Sequence, residues 1–252
     1  MRAWGITDVG LRRHENQDTY AFEAFGAPDT VVAVVCDGMG GVNGGQLASS
    51  LAVSTFIGQL HAHAHTDMTV EQVREMESFC VAEANRAVYE RSLEDESYHG
   101  MGTTLVSAVV SPDGAVICNV GDSRAYHIGA HGITRVTRDH SVVESMIEAG
   151  DITPEEARTH PNRNLITRAL GPDKHIACDA YEVAMAKGDA LLLCSDGLIV
   201  TVEDAEMLEI VRGEADGARA LERLLELSKG RGAPDNVTAV LILNDEEVGL
   251  DG

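Results

Sequence analysis

The sequence predicts an α+β fold with β-sheet at its centre and α-helices outside. Short runs rich in Val, Ile and Leu are typical of buried strands, and several neighbouring runs are separated by too few residues for a crossover helix. Other segments carry apolar residues at helical spacing, and they do not alternate with the strands one by one. We therefore expect mainly antiparallel pairing rather than a doubly wound parallel sheet.

The candidate strands are short apolar runs. They are Val31–Cys36, Thr104–Val110, Ala115–Val120, Ala125–Ile128, Ala190–Cys194 and Val237–Leu243. Asp113 and Gly114 lie between the second and third of these runs, and this pair predicts a tight hairpin turn.

Three segments have the periodicity of amphipathic helices. Their apolar faces are formed by Leu47, Leu51, Thr55 and Phe56, by Met76, Phe79, Cys80, Ala84 and Val88, and by Leu221, Leu224, Leu225 and Ser228. The sequence contains no internal repeat and no Pro- or Ser-rich linker. We therefore predict a single domain over residues 1–245, followed by a short C-terminal tail at residues 246–252.

Composition excludes several classes of partner. The chain has 252 residues with 41 acidic and 19 basic side chains, so its formal charge is −22. Duplex nucleic acid and anionic membrane surfaces both require clustered Lys and Arg, and we expect neither as a partner. The N-terminus does not have the pattern of a secretory signal, and the apolar runs are too short to cross a bilayer. Five widely spaced cysteines without a CxxC motif fit free thiols in a reducing cytoplasm, which is the predicted location.

Four aspartates stand at the ends of candidate strands. Asp37, Asp122 and Asp196 follow apolar runs, and Asp235 precedes the last one. Carboxylates gathered at such positions would repel one another unless cations neutralised them, and hard divalent cations prefer oxygen ligands. A single Asp-Gly after a strand is more often only a turn. The run DGMGGVNGG from Asp37 allows the backbone to approach a ligand closely, although a flexible loop before a helix has the same composition.

Eight motifs occur in a fixed order between Trp4 and Leu243. They are TDVGLRRHENQD at 7–18, VVCDGMGGVNGGQLAS at 34–49, MGTTL at 101–105, NVGDSRAY at 119–126, TRDHS at 137–141, ITPEEARTHPNRNLITRALG at 152–171, LLLCSDGL at 191–198 and APDNVTAVLI at 233–242. Any one of them is weak evidence by itself. Together and in this order, they resemble the metal-dependent protein phosphatases, the PPM or protein phosphatase 2C-like family, of the bacterial Ser/Thr type.

The resemblance implies a sandwich of two antiparallel β-sheets flanked by α-helices, with a metal centre at one end. It implies a serine/threonine protein phosphatase that hydrolyses phosphoserine and phosphothreonine with Mn²⁺ or Mg²⁺, using two ions and a weaker third. By analogy with the family, the metal ligands are Asp18, Asp37, Asp122, Asp196, Asp235 and the carbonyl oxygen of Gly38. Asp37 would bridge two ions, and Asp122 would bind the third.

Arg13 and Asp37 are the residues that the resemblance places in catalysis. Paired divalent ions about 3.5–4 Å apart lower the pKa of a bridging water, and the resulting hydroxide attacks phosphorus in line. Arg13 matches the family's phosphate-binding arginine. A planar guanidinium suits two phosphate oxygens better than an ammonium does.

Two positions depart from the family pattern. Met39 stands where some members have a His proposed to protonate the leaving group, so water or another acid would have to serve. Val200 stands where many relatives carry an Asp that helps to bind the third ion, which weakens the expectation of a complete third site. The histidines at positions 61, 63 and 65 in HAHAHTD are compatible with a metal tract, but a solvated loop after the first helix explains them better.

The segment from Ser141 to Leu165 matches the family's flap, which lies beside the site and influences substrate choice. Asp139 and His140 precede it, and we interpret both as structural, with the Asp capping the helix that follows. Thr103, Thr104, Ser123 and Arg124 are expected to belong to the scaffold, and Asn236 is expected to orient the loop that presents Asp235.

Three hypotheses about function follow. The first is an active enzyme that opposes a Ser/Thr protein kinase, with phosphorylated proteins as substrates, including that kinase or its targets. The second is a catalytically weak relative that acts as a phosphoprotein-binding regulatory module, which only Met39 and Val200 support. The third is a phosphohydrolase for small molecules on the same scaffold. Because the proposed two-ion ligand set and Arg13 are complete, the sequence favours the active phosphatase.

Overall fold

The computed structural model of the chain describes residues 1–26, 29–65 and 68–245, with residues 41–43 described by their backbone alone. The predicted C-terminal tail at residues 246–252 lies outside the described residues. No helix in the described ranges is long and apolar enough to span a membrane.

The described residues form β-strands and α-helices in mixed order. The strands are β1 (Arg2–Asp8), β2 (Asp18–Ala24), β3 (Val31–Met39), β4 (Gly102–Thr103), β5 (Leu105–Ser111), β6 (Gly114–Val120), β7 (Arg124–Gly129), β8 (Gly132–Arg135), β9 (Asp179–Ala184), β10 (Ala190–Cys194) and β11 (Val237–Leu243). The helices are α1 (Gly41–His63), α2 (Val70–Glu94), α3 (Val142–Ala149), α4 (Pro154–Ala157), α5 (Asp196–Ile199), α6 (Asp204–Gly213) and α7 (Gly217–Gly230).

The strands assemble into two sheets. One has the order β1-β11-β10-β7-β8, and the other has the order β2-β3-β5-β6-β9 with the short strand β4 paired to β3. All of these strand pairs are antiparallel. The predicted α+β class with two antiparallel sheets and flanking helices is therefore confirmed.

The structure contains all the predicted strands and adds β1, β2, β8 and β9, as well as the two-residue β4. The four longer additions are the edge strands of the two sheets. Strands β1, β2 and β9 mix apolar with polar or charged residues, and most of their side chains are only partly buried. Such edge strands give no continuous apolar run, so the sequence pattern misses them.

Strand β3 shows how the layers form. Its odd-numbered residues from Val31 to Val35 belong to the apolar core between the two sheets. Its even-numbered residues from Val32 to Cys36 pack in a second core with α1 and α2. Helices α6 and α7 cover the outer face of the other sheet in a third core. Because β3 is buried on both faces, its sequence is continuously apolar.

The two ends of the sandwich differ. At one end, β5 and β6 are joined by the predicted hairpin, with Ser111 opposite Gly114 across the turn. Asn244, directly after β11, lies at this end, and its amide donates to the carbonyl oxygens of Pro112 and Ala186. The opposite end carries the C-terminal ends of β3, β6 and β10, where the predicted aspartates lie.

Glu77 is a carboxyl group buried within the helix layer. It lies on α2 and is fully buried, and its Oε1 accepts a hydrogen bond of 2.8 Å from the Ser107 hydroxyl on β5. Burial raises the pKa of Glu77 to about 8, because desolvation disfavours the charged form. Glu77 is therefore largely protonated in the folded protein at neutral pH.

We predict that Glu77→Gln changes the pH dependence of stability. Because the folded pKa lies above the unfolded one, the wild type loses free energy of unfolding as the pH rises from about 4.5 to about 8. Gln does not ionise and still accepts a hydrogen bond from Ser107. The variant should therefore gain stability relative to the wild type, on the order of a few kcal/mol, between about pH 5 and about pH 9 in urea denaturation.

Glu75→Gln is the control for this measurement, because Glu75 lies exposed on the same helix. Its stability difference from the wild type should stay constant over the same pH range. A constant difference for Glu77→Gln as well would contradict a buried, protonated carboxyl group.

Candidate metal centre

The structure brings the five predicted aspartates to one end of the sandwich. Asp18 begins β2, Asp37 lies within β3, Asp122 lies in the loop after β6, Asp196 begins α5 directly after β10, and Asp235 precedes β11. The sequence places Asp37 after the strand, and this boundary is wrong. Strand β3 continues to Met39, because Gly38 and Met39 pair with β4.

Asp18 and Asp37 face each other across two strands. They are register partners in the antiparallel ladder of β2 and β3. The Ser195 hydroxyl donates a hydrogen bond of 2.8 Å to Asp18 Oδ2, whereas the buried Asp18 Oδ1 has no hydrogen-bond partner among the described residues. Like charges directly opposite one another destabilise a sheet, so this pair requires compensation.

The other predicted residues line a cavity of about 610 Å³. Its walls are Arg12, Arg13, His14, Glu15, Gln17, Asp37, Gly38, Met39, Gly40, Thr104, Asp122, Asn164, Ile166, Asp196, Asp235 and Asn236. Asp18 is buried beside Asp37. Five carboxyl groups therefore lie close together at one end of the sandwich.

Burial and mutual repulsion raise the pKa values of four of these carboxyl groups. Desolvation is the first cause in each case. It raises the pKa of Asp18 and of Asp196 to about 6. It raises the pKa of Asp122 to about 8, with the charge of Asp196 as the next cause. The pKa of Asp37 lies well above its usual range, because the charges of Asp18 and Asp196 add to desolvation.

Arg13 is paired with Asp235. Arg13 Nη2 donates to Asp235 Oδ2 over 2.7 Å, and this hydrogen bond raises the pKa of the arginine. No group of three or more His, Cys, Asp or Glu side chains in the described part of the chain is arranged to hold a metal ion. The aspartates thus share a region without converging on one point, and Asp235 is turned toward Arg13.

Asn236 fastens the loop of Arg13 to the loop of Asp235. Its Oδ1 accepts a hydrogen bond of 2.9 Å from the Gln17 N–H. Its Nδ2 donates to the carbonyl oxygens of Val9 and Glu15, over 2.9 and 3.0 Å. These three bonds join chain segments that are more than two hundred positions apart, as the predicted orienting role of Asn236 requires.

Gly38 lies where the chain has no room for a side chain. A Cβ at this position would stand 2.1 Å from the Gly45 carbonyl oxygen and 2.6 Å from the Gln17 carbonyl oxygen. The Gly38 N–H donates to that Gln17 oxygen over 3.1 Å. Glycine is therefore required for β3 to pass between the β1–β2 loop and the start of α1.

Hydroxyl groups hold the strands that present the aspartates. Thr104 Oγ1 accepts from the Asp37 N–H over 2.9 Å and contacts Ser123 Oγ at 2.7 Å. Ser195 Oγ, besides donating to Asp18, accepts from the Thr238 N–H over 3.0 Å. Ser195 was not predicted from the sequence, although a hydroxyl directly before Asp196 at the end of an apolar strand is a signal for it.

Asp139 does not cap helix α3, which corrects the sequence interpretation. The cap is Ser141, whose hydroxyl accepts from the Glu144 N–H. Instead, both carboxylate oxygens of Asp139 accept hydrogen bonds from the Arg124 guanidinium, with donor–acceptor distances of 2.6 to 3.1 Å. Arg135 pairs with Glu144 at 2.7 Å, so charged groups connect the strand after Asp122 with the flap helix. Asp139 thus has a structural role, as predicted, but through its ion pair with Arg124 and not as a helix cap.

Four further positions that the sequence singled out have different outcomes in the structure. Met39 lines the cavity, and its thioether carries no proton to donate. Val200 follows α5 and is 60% exposed. His61 and His63 belong to the last turn of α1 rather than to a loop, and they contact Glu23 and the Gln59 carbonyl oxygen.

A family model described as Protein phosphatase 2C matches residues 12–241 of the chain. The chain belongs to this family. The protein phosphatase PhpP of Streptococcus pneumoniae is 36% identical to this protein phosphatase 2C over 242 residues, which cover 96% of the chain and 97% of PhpP.

Solved structures of the family agree with the fold. The serine/threonine phosphatase Stp1 from Staphylococcus aureus has a TM-score of 0.88 and 35% identity, covering 95% of this chain and 93% of that one. The catalytic domain of the serine threonine protein phosphatase PstP, in complex with two manganese ions, has a TM-score of 0.83 and 30% identity, covering 95% of this chain and 96% of that one. The predicted family, fold and enzyme class are confirmed, and this protein phosphatase 2C is a serine/threonine protein phosphatase. None of these comparisons supports the non-catalytic module.

We predict that Asn236→Ala lowers the affinity for Mn²⁺ roughly 10- to 100-fold, because hydrogen bonds around a metal centre hold its ligands in place. Asn244→Ala is the matched control, since Asn244 is also buried and holds carbonyl oxygens at the opposite end of the sandwich. Both variants should lose about 1–3 kcal/mol of unfolding free energy. Only the first should lose affinity in isothermal titration calorimetry, and equal Mn²⁺ affinities would contradict the role of Asn236.

We predict that Asp37→Asn has opposite effects with and without metal. In metal-free buffer at about pH 8, the variant should unfold at a higher temperature than the wild type, because one of several repelling carboxylates is neutralised. In Mn²⁺ the order should reverse, because the wild type gains stability from binding. Asp113→Asn, in the hairpin at the other end, should change neither melting temperature. A wild type that Mn²⁺ does not stabilise would contradict this prediction.

Proposed function

We propose that this phosphatase uses two divalent ions, Mn²⁺ or Mg²⁺, held by Asp18, Asp37, Asp196, Asp235 and the Gly38 carbonyl oxygen. Asp122 would contribute to a weaker third site. The proposal is supported above all by the gathering of these oxygen donors at one end of the fold, beside Arg13. We also propose that residues 1–245 form the single catalytic domain of the chain.

The residues present fit divalent metal ions. All the donors are carboxylate or carbonyl oxygens, which hard cations prefer. Two buried oxygens, Asp18 Oδ1 and Asp196 Oδ1, have no hydrogen-bond partner among the described residues. An acidic group left unpaired in a buried place is costly unless a cation neutralises it. The raised pKa values of four carboxyl groups have the same origin, which ion binding would remove.

When bound, such ions would supply a hydroxide near neutral pH and polarise the phosphoryl oxygens. The chain's own residues do the rest. Asp37 would hold its position through the Asp37 N–H bond to Thr104, and Asp18 through the Ser195 hydroxyl. Arg13 would release Asp235 to the ligand set and turn its guanidinium to the phosphoryl oxygens, because both groups share the cavity.

The reaction is the hydrolysis of a phosphate monoester. The bond between phosphorus and the serine or threonine oxygen breaks, a new bond to the water oxygen forms, and the leaving alkoxide takes up a proton. Met39 does not donate that proton. We propose that a water in the cavity donates it.

The substrates proposed are phosphoserine and phosphothreonine in proteins. A Ser/Thr kinase has to supply such groups, and we propose that a cognate kinase or its targets are among the substrates. PhpP is named a protein phosphatase and Stp1 a serine/threonine phosphatase, which supports phosphoprotein substrates. The five free thiols fit the reducing cytoplasm, where we place the reaction.

We predict that Arg13→Ala lowers kcat/KM for a phosphothreonine peptide roughly 10- to 100-fold in Mn²⁺, because a charge-assisted contact to phosphate is lost. Arg12→Ala is the matched control, since Arg12 lines the same cavity one position earlier, and it should lose much less. The assay also compares phosphopeptides with nucleotides and sugar phosphates. Equal turnover of all three would favour the small-molecule phosphohydrolase, and turnover in metal-free buffer would contradict the proposal.

A further inference from the structure

Cys178 differs from the other cysteines of the chain. It is half-buried, whereas Cys36, Cys80, Cys118 and Cys194 are buried. Burial raises the pKa of Cys80 and of Cys194 to about 12 and that of Cys36 further, and a hydrogen bond together with burial raises that of Cys118 further, so none of these four thiols is ionised at neutral pH. Only Cys178 combines access from solvent with a polar environment in the described part of the chain.

Cys118 and Cys178 lie on the same face of one sheet. Strands β6 and β9 pair with Cys118 opposite Ala180 and Asn119 opposite Asp179. Cys178 directly precedes β9, so it is the diagonal neighbour of Cys118 and points to the same side. Both thiols pack against the core that α1 and α2 cover. A hydrogen bond between the two thiols raises the pKa of Cys118 and lowers that of Cys178, as expected when Cys118 is the donor.

The helix layer adds polar groups to this pair. Cys178 Sγ lies 3.6 Å from Ser78 Oγ on α2. The hydrogen bond with Cys118 is the largest cause that lowers the pKa of Cys178 to about 7; desolvation by burial opposes it, and the contacts with Ser78 and the backbone add to it. The nearby carboxyl group of Glu77 is largely protonated at neutral pH, so it adds little negative charge against a thiolate. A substantial fraction of Cys178 is therefore thiolate at neutral pH.

We propose that Cys118 and Cys178 form a peroxide-reactive thiol pair that closes into a disulfide and thereby slows the phosphatase. The effect on activity rests on the proposed function, whereas the disulfide itself does not.

The chemistry requires a hydroperoxide as the oxidant. The Cys178 thiolate attacks one peroxide oxygen, the O–O bond breaks, and the departing hydroxide takes a proton to become water. The product is a sulfenic acid on Cys178. The Cys118 sulfur then attacks the Cys178 sulfur, the S–O bond breaks, and the hydroxide leaves with the Cys118 thiol proton as a second water. The two thiols lose two electrons in total, and the peroxide gains them.

Closing the disulfide moves the backbone at Cys178. Diagonal neighbours in a regular ladder have Cα atoms about 7–8 Å apart, whereas a disulfide requires about 4.4–6.8 Å. The residues on both sides of Cys178 are held by Arg168, which donates to the Ala177 carbonyl oxygen and pairs with Asp179 at 2.7 Å. A shift at Cys178 therefore disturbs both of these contacts.

Asp179 connects this segment to the metal centre. Asp179 Oδ2 lies 3.1 Å from His140 Nε2, off the ideal direction of a hydrogen bond. On its other side, His140 Nδ1 accepts from the Gly121 N–H over 3.0 Å, and the His140 N–H donates to the Gly121 oxygen. Gly121 directly precedes Asp122. The His140 carbonyl oxygen also accepts from the Thr167 N–H, at the end of the flap. His140 thus connects the segment of the thiol pair to the loop that carries Asp122.

The test treats the full-length chain with hydrogen peroxide, blocks remaining thiols with an alkylating agent, and maps the cysteines by mass spectrometry. Turnover of a phosphothreonine peptide in Mn²⁺ is measured on the same samples, before and after dithiothreitol. We expect a Cys118–Cys178 disulfide and about tenfold lower kcat/KM, both reversed by dithiothreitol.

Three variants serve as controls. Cys194→Ser changes a buried thiol in the other sheet, and it should respond to peroxide as the wild type does. Cys178→Ser and Cys118→Ala should have full activity before treatment and keep it afterwards. Cys118→Ala should also accumulate sulfenic acid on Cys178, which a dimedone probe detects. Because the two variants give different readouts, a folding defect in one of them does not decide the result.

Two outcomes would overturn the proposal. In the first, Cys178 still reacts with the alkylating agent after peroxide treatment, while other cysteines are oxidised. In the second, the disulfide forms completely and turnover is unchanged. If the untreated enzyme has no activity, the proposed function fails instead, and the mass spectrum still decides whether the disulfide forms.

Discussion

Repulsion between buried carboxyl groups is the constraint on which the rest of this structure depends. Asp18 and Asp37 are register partners, and Asp196 lies close enough to Asp122 to raise its pKa. A protein relieves such repulsion by protonation, by a basic partner or by a cation. Arg13 pairs with Asp235, but the four more buried groups carry the raised pKa values. A divalent cation bound at this end of the fold would relieve the repulsion that remains.

Hydrogen bonds between distant segments hold this unfavourable arrangement in place. Asn236 connects the first loop of the chain to the last strand, and Ser195 connects β10 to both Asp18 and β11. Thr104, between β4 and β5, fixes the backbone of Asp37. Each of these side chains is buried, so leaving its partner unsatisfied would be costly. The apolar packing of the sandwich stabilises the fold enough to offset the repulsion between the aspartates, and the polar side chains at this end hold those aspartates in place.

The net charge of the chain and the local charges around the site have different effects. Its formal charge of −22 disfavours nucleic acid and anionic lipid as partners. At the site, bound cations would reverse the local sign, so an acidic protein can still attract a phosphate dianion. Arg12 and Arg13 line the same cavity and would add positive charge there. The charges around Arg124, Asp139 and Arg135 serve a third purpose, because they fasten the flap helix to the strand that follows Asp122.

The sequence by itself determined the family, the enzyme class and which aspartates belong together, because those features depend on local motifs in a fixed order. It also predicted the interior strands, whose two buried faces require continuous apolar runs. The edge strands, the pairing of Asp18 with Asp37 and the capping of α3 by Ser141 were decided only by the tertiary structure. The same holds for the meeting of Cys118 with Cys178. Each of these depends on a partner far along the chain, and contacts between distant segments leave no periodic pattern in the sequence.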